Sequence, residues 1–315
     1  MDYFVRIYTN RKDYGLSYEE AAELMNAESG EHKGESAWRK EYAAFHRGRL
    51  YERGMNSSDV GARILCISDL HVPFHLPANT FEKYSGMVDI LVLNGDITDC
   101  QAISKFPKAY RVSPMEELIA TRQYCTELIE LIKPRKVVVI YGNHDLRFQS
   151  YMAKNLDTDI LELMPKTSLE LLFVDGFTHY DKRHGTKTKY AALADMYDDV
   201  EIDYVDNWYT QIGSTIFCHP LAFSSAIMKT SARAVDFFRN EGYIFDSLIM
   251  AHTHRVGDYY IGQTAMYEQG CCCDVKAMRY ADGKLVPSQK EGYIYFCQDH
   301  DGKFIKSSAK LELLN

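Results

Sequence analysis

Nine residues at five places in the chain carry groups able to hold metal ions and move protons: Asp69 and His71, Asp96 and Asp99, Asn143 and His144, His219, and His252 with His254. They occur in the patterns Asp-x-His, Gly-Asp-x-x-Asp, Gly-Asn-His-Asp, an isolated His, and His-x-His, in that order. Taken singly, each is better read as an ordinary loop or capping residue. Taken jointly, carboxylate oxygens, imidazole nitrogens and an amide oxygen form a mixed N/O set that suits Mn²⁺, Fe or Zn²⁺.

What gives the set its force is where it falls. Each group follows a short apolar run of strand character: ILCIS, ILVLNG, VVVIYG, TIFC and LIMA. From residue 62 such runs alternate with helical stretches, including a long helix from about Pro114 to Lys133, which indicates an α/β domain with an at least partly parallel sheet. Open sheets of this kind carry ligands at the carboxyl ends of their strands, so the groups should converge on one crevice. After Asp258 the helices are expected to stop, and DYYIGQTAMYEQG, GYIYFCQ and GKFIKSSAKLELL read as antiparallel strands of a second sheet packed on the first. No internal repeat or low-complexity tract interrupts this pattern.

The chain has 315 residues, 46% hydrophobic and 25% charged, the balance of a folded globular protein. No stretch approaches the apolar length of a membrane span, and the charged start MDYFVRIYTNRKDYG does not read as a secretory leader, so a cytoplasmic protein is expected. The net charge of −8 gives no global attraction to nucleic acid, so any such attraction must be local. Eight cysteines without a C-x-x-C pair suggest reduced thiols, and the run Cys271, Cys272, Cys273 is read as core packing in preference to soft-metal ligation.

Residues 1–60 read as a helical module apart from a domain at 61–315, joined through the Gly- and Ser-containing GMNSSDVGA. Ser17 with Glu20 forms a capping box that opens one helix, ending near Glu28 to Gly30. A second helix starts near Ser36 and ends at Gly54, with Trp38, Tyr42, Phe45 and Leu50 as its apolar positions. Its basic residues, among them Arg39, Lys40, Arg47 and Arg49, fit a helix-turn-helix module that contacts DNA phosphates. A small appendage that packs on the main domain or mediates self-association fits the same segment.

From Ile64 to about Arg255, the order and spacing of the five groups resemble the calcineurin-like metallophosphoesterase superfamily. The runs SDLHVPFH, GDITDCQAISKF, GNHDLR, AHTHR and YEQGCCCDVKAMRY are similar to the stand-alone phosphoesterases of phages and prophages, which would place the protein in a host cytoplasm. The resemblance implies a four-layer α/β fold, two packed β-sheets flanked by helices. It also implies two divalent transition-metal ions (Mn, with Fe, Zn or Ni as alternatives): Asp69, His71, Asp96 and His254 would hold one, Asp96, Asn143, His219 and His252 the other, with Asp96 as the bridge. A carboxylate can span two cations about 3.5–4 Å apart. His144 resembles the family's proton donor, with Asp99 as first candidate and Asp145 as second for the carboxylate that orients it. Arg147 and His75 are candidates for phosphate contact. The sequence departs from the family in carrying Ala251 where a Gly usually precedes His-x-His.

The family's protein phosphatases follow Gly-Asp-x-x-Asp with Arg-Gly and end the third motif in Glu, whereas here Cys100 and Gln101 follow Asp99 and the third motif ends in Asp145. The Asn-His-Asp form resembles the nucleases and nucleotide phosphodiesterases of the superfamily. A phosphodiesterase or nuclease acting on DNA or nucleotides is therefore expected. A phosphomonoesterase of small molecules or nucleotides with a structural N-terminal segment is the alternative. A purely binding relative would have no need of all seven metal residues plus His144.

Overall fold

The computed structural model of the chain describes residues 4–9, 11, 14–52, 59–104, 112–278 and 289–314, with the side chains of residues 5, 9, 46, 47 and 49–52 outside that description. The helices are α1 (Tyr18–Ser29), α2 (Glu35–Glu52), α3 (Pro114–Ile132), α4 (Arg147–Met152), α5 (Thr158–Leu161), α6 (Ser168–Glu170), α7 (Lys229–Asn240) and α8 (Val275–Met278). The strands up to the middle of the chain are β1 (Ala62–Ile67), β2 (Ile90–Asn94), β3 (Lys136–Ile140), β4 (Phe177–Asp181), β5 (Thr186–Tyr190), β6 (Glu201–Val205) and β7 (Tyr209–Ile212). There follow β8 (Thr215–Cys218), β9 (Ser247–Met250), β10 (Val256–Ile261), β11 (Thr264–Gln269), β12 (Gly292–Gln298) and β13 (Phe304–Leu313).

Two sheets carry the fold. The first has six strands in the order β13-β12-β1-β2-β3-β6, and the second five in the order β10-β11-β9-β8-β7. In the first, β1, β2, β3 and β6 run parallel while β12 and β13 are antiparallel to their neighbours. Because side chains alternate along a strand, β1 sends Ile64 and Cys66 to one face and Leu65 and Ile67 to the other. The first pair meets Phe217, Ile249 and Tyr267 of the second sheet. The second pair packs under α3, against Leu128, Ile129 and Ile132. On the far side of the second sheet, Ile216, Leu248 and Met250 pack on Val235 and Phe238 of α7. The order is helix, sheet, sheet, helix, which makes the four-layer α/β fold. Strands covered on both faces read as continuous apolar runs, which is why ILCIS and LIMA lack a polar alternation.

The C-terminal strands depart from the sequence reading. They do not build a second sheet among themselves: β12 and β13 extend the first sheet beyond β1, and only β10 and β11 join the second. Within it β11 pairs with β9 in parallel, not antiparallel, fashion. The run DYYIGQTAMYEQG is a hairpin turning at Gly262 and Gln263, whose first strand is a half-exposed edge and whose second is buried throughout. A strand buried at every position needs a neighbour on each side, and β9 supplies it. The helices also do not stop at Asp258, since α8 adds a single turn.

The long helix α3 is fixed at both ends. Ser113 and Glu116 form a capping box with Pro114 at the first turn, and Lys133 ends it in the left-handed region at φ 57°. In the N-terminal segment the Ser17/Glu20 box opens α1 and Gly30 closes it at φ 73°. Trp38 of α2 donates to Asn26 Oδ1 at 2.8 Å and is buried with Ile7, Tyr8, Ala21, Ala22 and Met25, the first two from a π-helical turn at Phe4–Thr9 that patterning did not foresee. Residues 53–58, with the Gly54 expected to end α2, lie outside the described residues. Among the described residues, no helix is long and apolar enough to cross a membrane.

Candidate metal centre

The loops leaving β1, β2, β3, β8 and β9 bring the predicted donors together. Asp69, His71 and His254 form one buried group and Asp96, His219 and His252 another, the donor atoms of each lying within 4.8 Å of one another. His254 Nε2 is 3.1 Å from Asp69 Oδ1 and 3.2 Å from His71 Nε2. Asp96 Oδ2 is 3.3 Å from His219 Nε2 and 3.8 Å from His71 Nε2, within reach of both groups. Donors sharing one cation at about 2.0–2.1 Å stand roughly 3–3.5 Å apart, so these spacings fit.

A second test is hydrogen bonding. Asn143 Oδ1, His219 Nε2 and His252 Nε2 are buried without a hydrogen-bond partner, although buried polar atoms are nearly always satisfied. These are the atoms those residues would offer a cation. Meanwhile the other nitrogen of His219 meets the Asn94 carbonyl at 2.9 Å, and that of His71 lies 3.3 Å from Asp99 Oδ1. Such bonds fix the ring and leave Nε2 as the donor.

The backbone is held in unusual conformations to achieve this. Asp69, His71, Asp96, His252 and His254 all have φ between 46° and 79°, a region that costs a residue with a side chain about 1–2 kcal/mol. Strain concentrated on five of seven donors is characteristic of a functional site. Two glycines make room: a Cβ on Gly95 would collide with the His219 ring, and one on Gly142 with the Asp96 carboxylate.

Electrostatics follow from the crowding. Burial would raise the Asp69 and Asp96 carboxyls, but the neighbouring histidines outweigh it and hold both below the usual range. Burial lowers His71, and it lowers His252 to about 4 with help from His219. For His219 burial is outweighed by Asp96 and Asp69, which push it up to about 9.

Beside this set, His144 Nδ1 lies 2.8 Å from Asp99 Oδ1, and its Nε2 lies 2.7 Å from the Arg147 guanidinium. Burial would raise the Asp99 carboxyl, and bonds from His144 and His71 instead hold it well below the carboxylate range. Arg147 also donates to the Asp99 carbonyl at 2.8 Å. The second candidate, Asp145, turns elsewhere: it accepts from Thr98 N, Thr98 Oγ1 and Gly142 N, clamping the β2 and β3 loops together. His75 is not brought to the donors, because its ring lies over Tyr124 with centroids 4.0 Å apart, and its backbone bridges to Cys273. Arg39 is exposed and paired with Glu35 at 3.3 Å, Lys40 is exposed, and the Arg47 and Arg49 side chains lie outside the described residues.

Three features went unread in the sequence. Gln269 donates to Ser68 Oγ, which donates to Asp69 Oδ2, so a glutamine from the second sheet steadies a donor on the first. Core packing describes Cys272, but Cys271 and Cys273 converge with His254. Glu117 of α3 accepts from the backbone of Cys100 and Gln101 and so anchors the loop that carries Asp99.

Burial, opposed by those two N–H groups, pushes the Glu117 carboxyl from 4.5 up to about 7. Between these values the folded protein keeps a proton that the unfolded chain has released, so stability present in full below pH 4.5 falls as pH rises through 7. The loss is on the order of 3 kcal/mol. Glu117→Gln cannot ionise, so in chelator-treated protein the wild type should lose melting temperature relative to the variant between pH 5 and 8. Parallel melting curves across that range would disprove the assignment.

Residues 1–57 match the family described as YonJ N-terminal domain. The SPbeta prophage-derived uncharacterized protein YonJ of Bacillus subtilis (strain 168) is 49% identical over 49 residues, a match spanning 16% of this chain and 12% of that protein. Among solved structures, a metallophosphoesterase from Sphaerobacter thermophilus aligns with TM-score 0.38 and 14% identity, over 81% of this chain and 88% of that one. A novel archaeal phosphodiesterase aligns with TM-score 0.34 and 13% identity, over 80% and 99%. Vacuolar Protein Sorting 29 from Cryptosporidium parvum aligns with TM-score 0.37 and 14% identity, over 81% and 98%. Residues 62–256, more than half of the chain, match the family described as Calcineurin-like phosphoesterase, and the chain belongs to that family.

Proposed function

We propose that the chain hydrolyses phosphodiesters at a dinuclear centre, with DNA or nucleotides as the substrate class. The observation that carries this reading is the pair of buried donor groups with Asp96 between them and three ligand atoms without a hydrogen-bond partner. Asp69, His71, Asp96 and His254 would hold one divalent ion, and Asp96, Asn143, His219 and His252 the other. The N/O set fits Mn²⁺, with Fe, Zn or Ni as alternatives. When bound, two such ions supply Lewis acidity and activate a water for attack at phosphorus.

The chain's own residues do the rest. His144 delivers a proton to the departing alkoxide, and Asp99 at 2.8 Å orients its ring. Arg147, at the edge of this pair, is placed to exchange its contact with His144 Nε2 for one with a phosphate oxygen. Directly after Asp99, Cys100 and Gln101 stand where the protein phosphatases have Arg-Gly, so neither position supplies a cation, and Glu117 engages their backbone. That arrangement favours a diester, which carries less charge than a monoester dianion.

The N-terminal module supports nucleic acid as substrate through the basic residues of α2. A phosphomonoesterase whose module is purely structural is the second reading, favoured by the module's own small core and by the Arg39–Glu35 pair. One experiment separates them. Mn²⁺-loaded protein is assayed on bis-p-nitrophenyl phosphate, p-nitrophenyl phosphate, single-stranded DNA and duplex DNA, and the salt dependence of DNA binding is measured. Preference for the diester and for DNA is expected. Replacing Arg39, Lys40, Arg47 and Arg49 by Gln should flatten the salt slope by about one unit per lost phosphate contact. Preference for the monoester, with a salt slope that the substitutions leave unchanged, would decide for the second reading.

A further inference from the structure

Next to the second donor group, a cavity of about 160 Å³ opens between the loop that follows His219 and helix α7. Its lining includes the aromatic residues Trp208, Phe223 and Phe237 together with Pro220, Ala222 and Arg233. Two lining residues touch the metal centre: the Trp208 carbonyl accepts from the His219 N–H at 2.8 Å, and the Phe223 ring meets the His252 ring edge-on with centroids 6.0 Å apart. The loop is braced, not loose. Arg255, the residue after His254, is buried and donates to the carbonyls of Ser224, Ser225 and Ala226, while its guanidinium lies 5.2 Å from the Phe223 ring centre. Leu221, Phe223, Ile227 and Phe237 are each more than 40% exposed, so the rim is apolar and accessible.

We propose that this cavity is a subsite for one aromatic ring of the substrate, carried by the ester group that stays on phosphorus. Its size supports a single ring, since an apolar cavity of roughly 150 Å³ accommodates benzene. Its chemistry does as well, because aromatic walls stack or meet rings edge-on and the cation of Arg233 complements a ring's negative face or a further phosphate. Its position decides which ring. The leaving group must reach His144, which stands against His71 of the first donor group with ring centroids 4.3 Å apart. The cavity's walls Trp208 and Phe223 contact His219 and His252 of the second, so a ring held there belongs to the retained group. A monoester of a departing alcohol has no such group. The subsite therefore rests on the phosphodiesterase reading and deepens it, naming diesters whose retained group is an aryl ester or a nucleoside.

The test is equilibrium binding to full-length, Mn²⁺-loaded protein of three product-like phosphates that differ only in what they carry: methyl phosphate, phenyl phosphate and thymidine 5′-monophosphate. A ring that enters the cavity should tighten binding by at least about tenfold over methyl phosphate, the effect of burying a modest apolar area. Gain with phenyl phosphate alone identifies an aryl ester, and gain with the thymidine compound alone a nucleotide. Filling the cavity from the exposed Ala222 with Ala222→Trp, or opening it with Phe237→Ala, should erase most of the gain. Equal affinity for all three ligands overturns the subsite and leaves the diesterase reading standing. A ring preference that survives both substitutions places the ring elsewhere and also overturns it. If the ring preference holds and is lost in the variants, yet bis-p-nitrophenyl phosphate is not hydrolysed, the cavity binds a ring but the diesterase reading falls, and the assignment of that ring to a retained ester group falls with it. Failure of all three phosphates to bind overturns both.

Discussion

Asp96→Asn is expected to strip the centre of metal and abolish turnover, because this carboxylate reaches both donor groups and lies nearest His219. Its Oδ2 stands 3.3 Å from His219 Nε2 and 3.8 Å from His71 Nε2, while Oδ1 accepts the His144 backbone N–H at 2.7 Å. Asn has the same shape, so the loop is expected to keep its course, and what is lost is the negative charge between two cations. Changing a partner one bond further from a metal typically costs about 10–100-fold in affinity, and losing the shared ligand should exceed that. Metal analysis after dialysis should find two ions per wild-type chain and at most one in the variant. Mn²⁺ should raise the melting temperature of the wild type well above that of the variant at the same concentration, since only binding to the folded state stabilises it. Two ions and full activity in the variant would end the assignment of Asp96 as the bridge.

That this experiment could be designed around one aspartate reflects how much the sequence discloses at strand ends. Apolar runs specify strands covered on both faces, and the residues immediately after each run fall at one edge of the layered sheets. Hence Asp69, Asp96, Asn143, His219 and His252 are legible as a set before any coordinate is known. The first glycines of two motifs become legible only in space, because Gly142 leaves room for Asp96 and Gly95 for His219 across a sheet or between sheets. Strand partners were not legible. DYYI and TAMYEQ announce a hairpin, but nothing local says that TAMYEQ will lie parallel to β9, since that choice is made by burial on both flanks. Glu117 escaped for a related reason: it sits in an ordinary helix, and its role exists only because α3 passes the loop at Cys100. The triplet Cys271 to Cys273 reads as uniform packing, yet a bent backbone sends the first and third sulfurs toward His254 and the middle one into the core. Likewise His75 carries the right chemistry in the right motif, but its ring is taken up by Tyr124.

His144 offers the sharpest separation of proton transfer from metal binding. His144→Asn is expected to retain both metal ions, because the group this residue gives to the Asp96 carboxylate is its backbone N–H, which asparagine keeps. The loss falls on the side chain, whose Nδ1 is bonded to Asp99 and whose Nε2 faces Arg147. In that arrangement the carboxylate accepts from Nδ1, leaving Nε2 as the nitrogen able to carry a transferable proton once a phosphate oxygen draws Arg147 away. A general acid contributes typically 10²–10⁴-fold, so turnover of a diester with an alkoxide leaving group should drop by at least about 10²-fold. A p-nitrophenolate departs with little need of a proton, so the corresponding aryl diester should lose far less. Asp99→Asn should follow the same pattern with a smaller drop, since the ring remains but loses the carboxylate that orients it. The contrast between leaving groups is the discriminating quantity, because a general disturbance of the site would slow both substrates alike. Equal losses on the two esters, or a missing ion, would show that His144 serves the metals and not the departing oxygen.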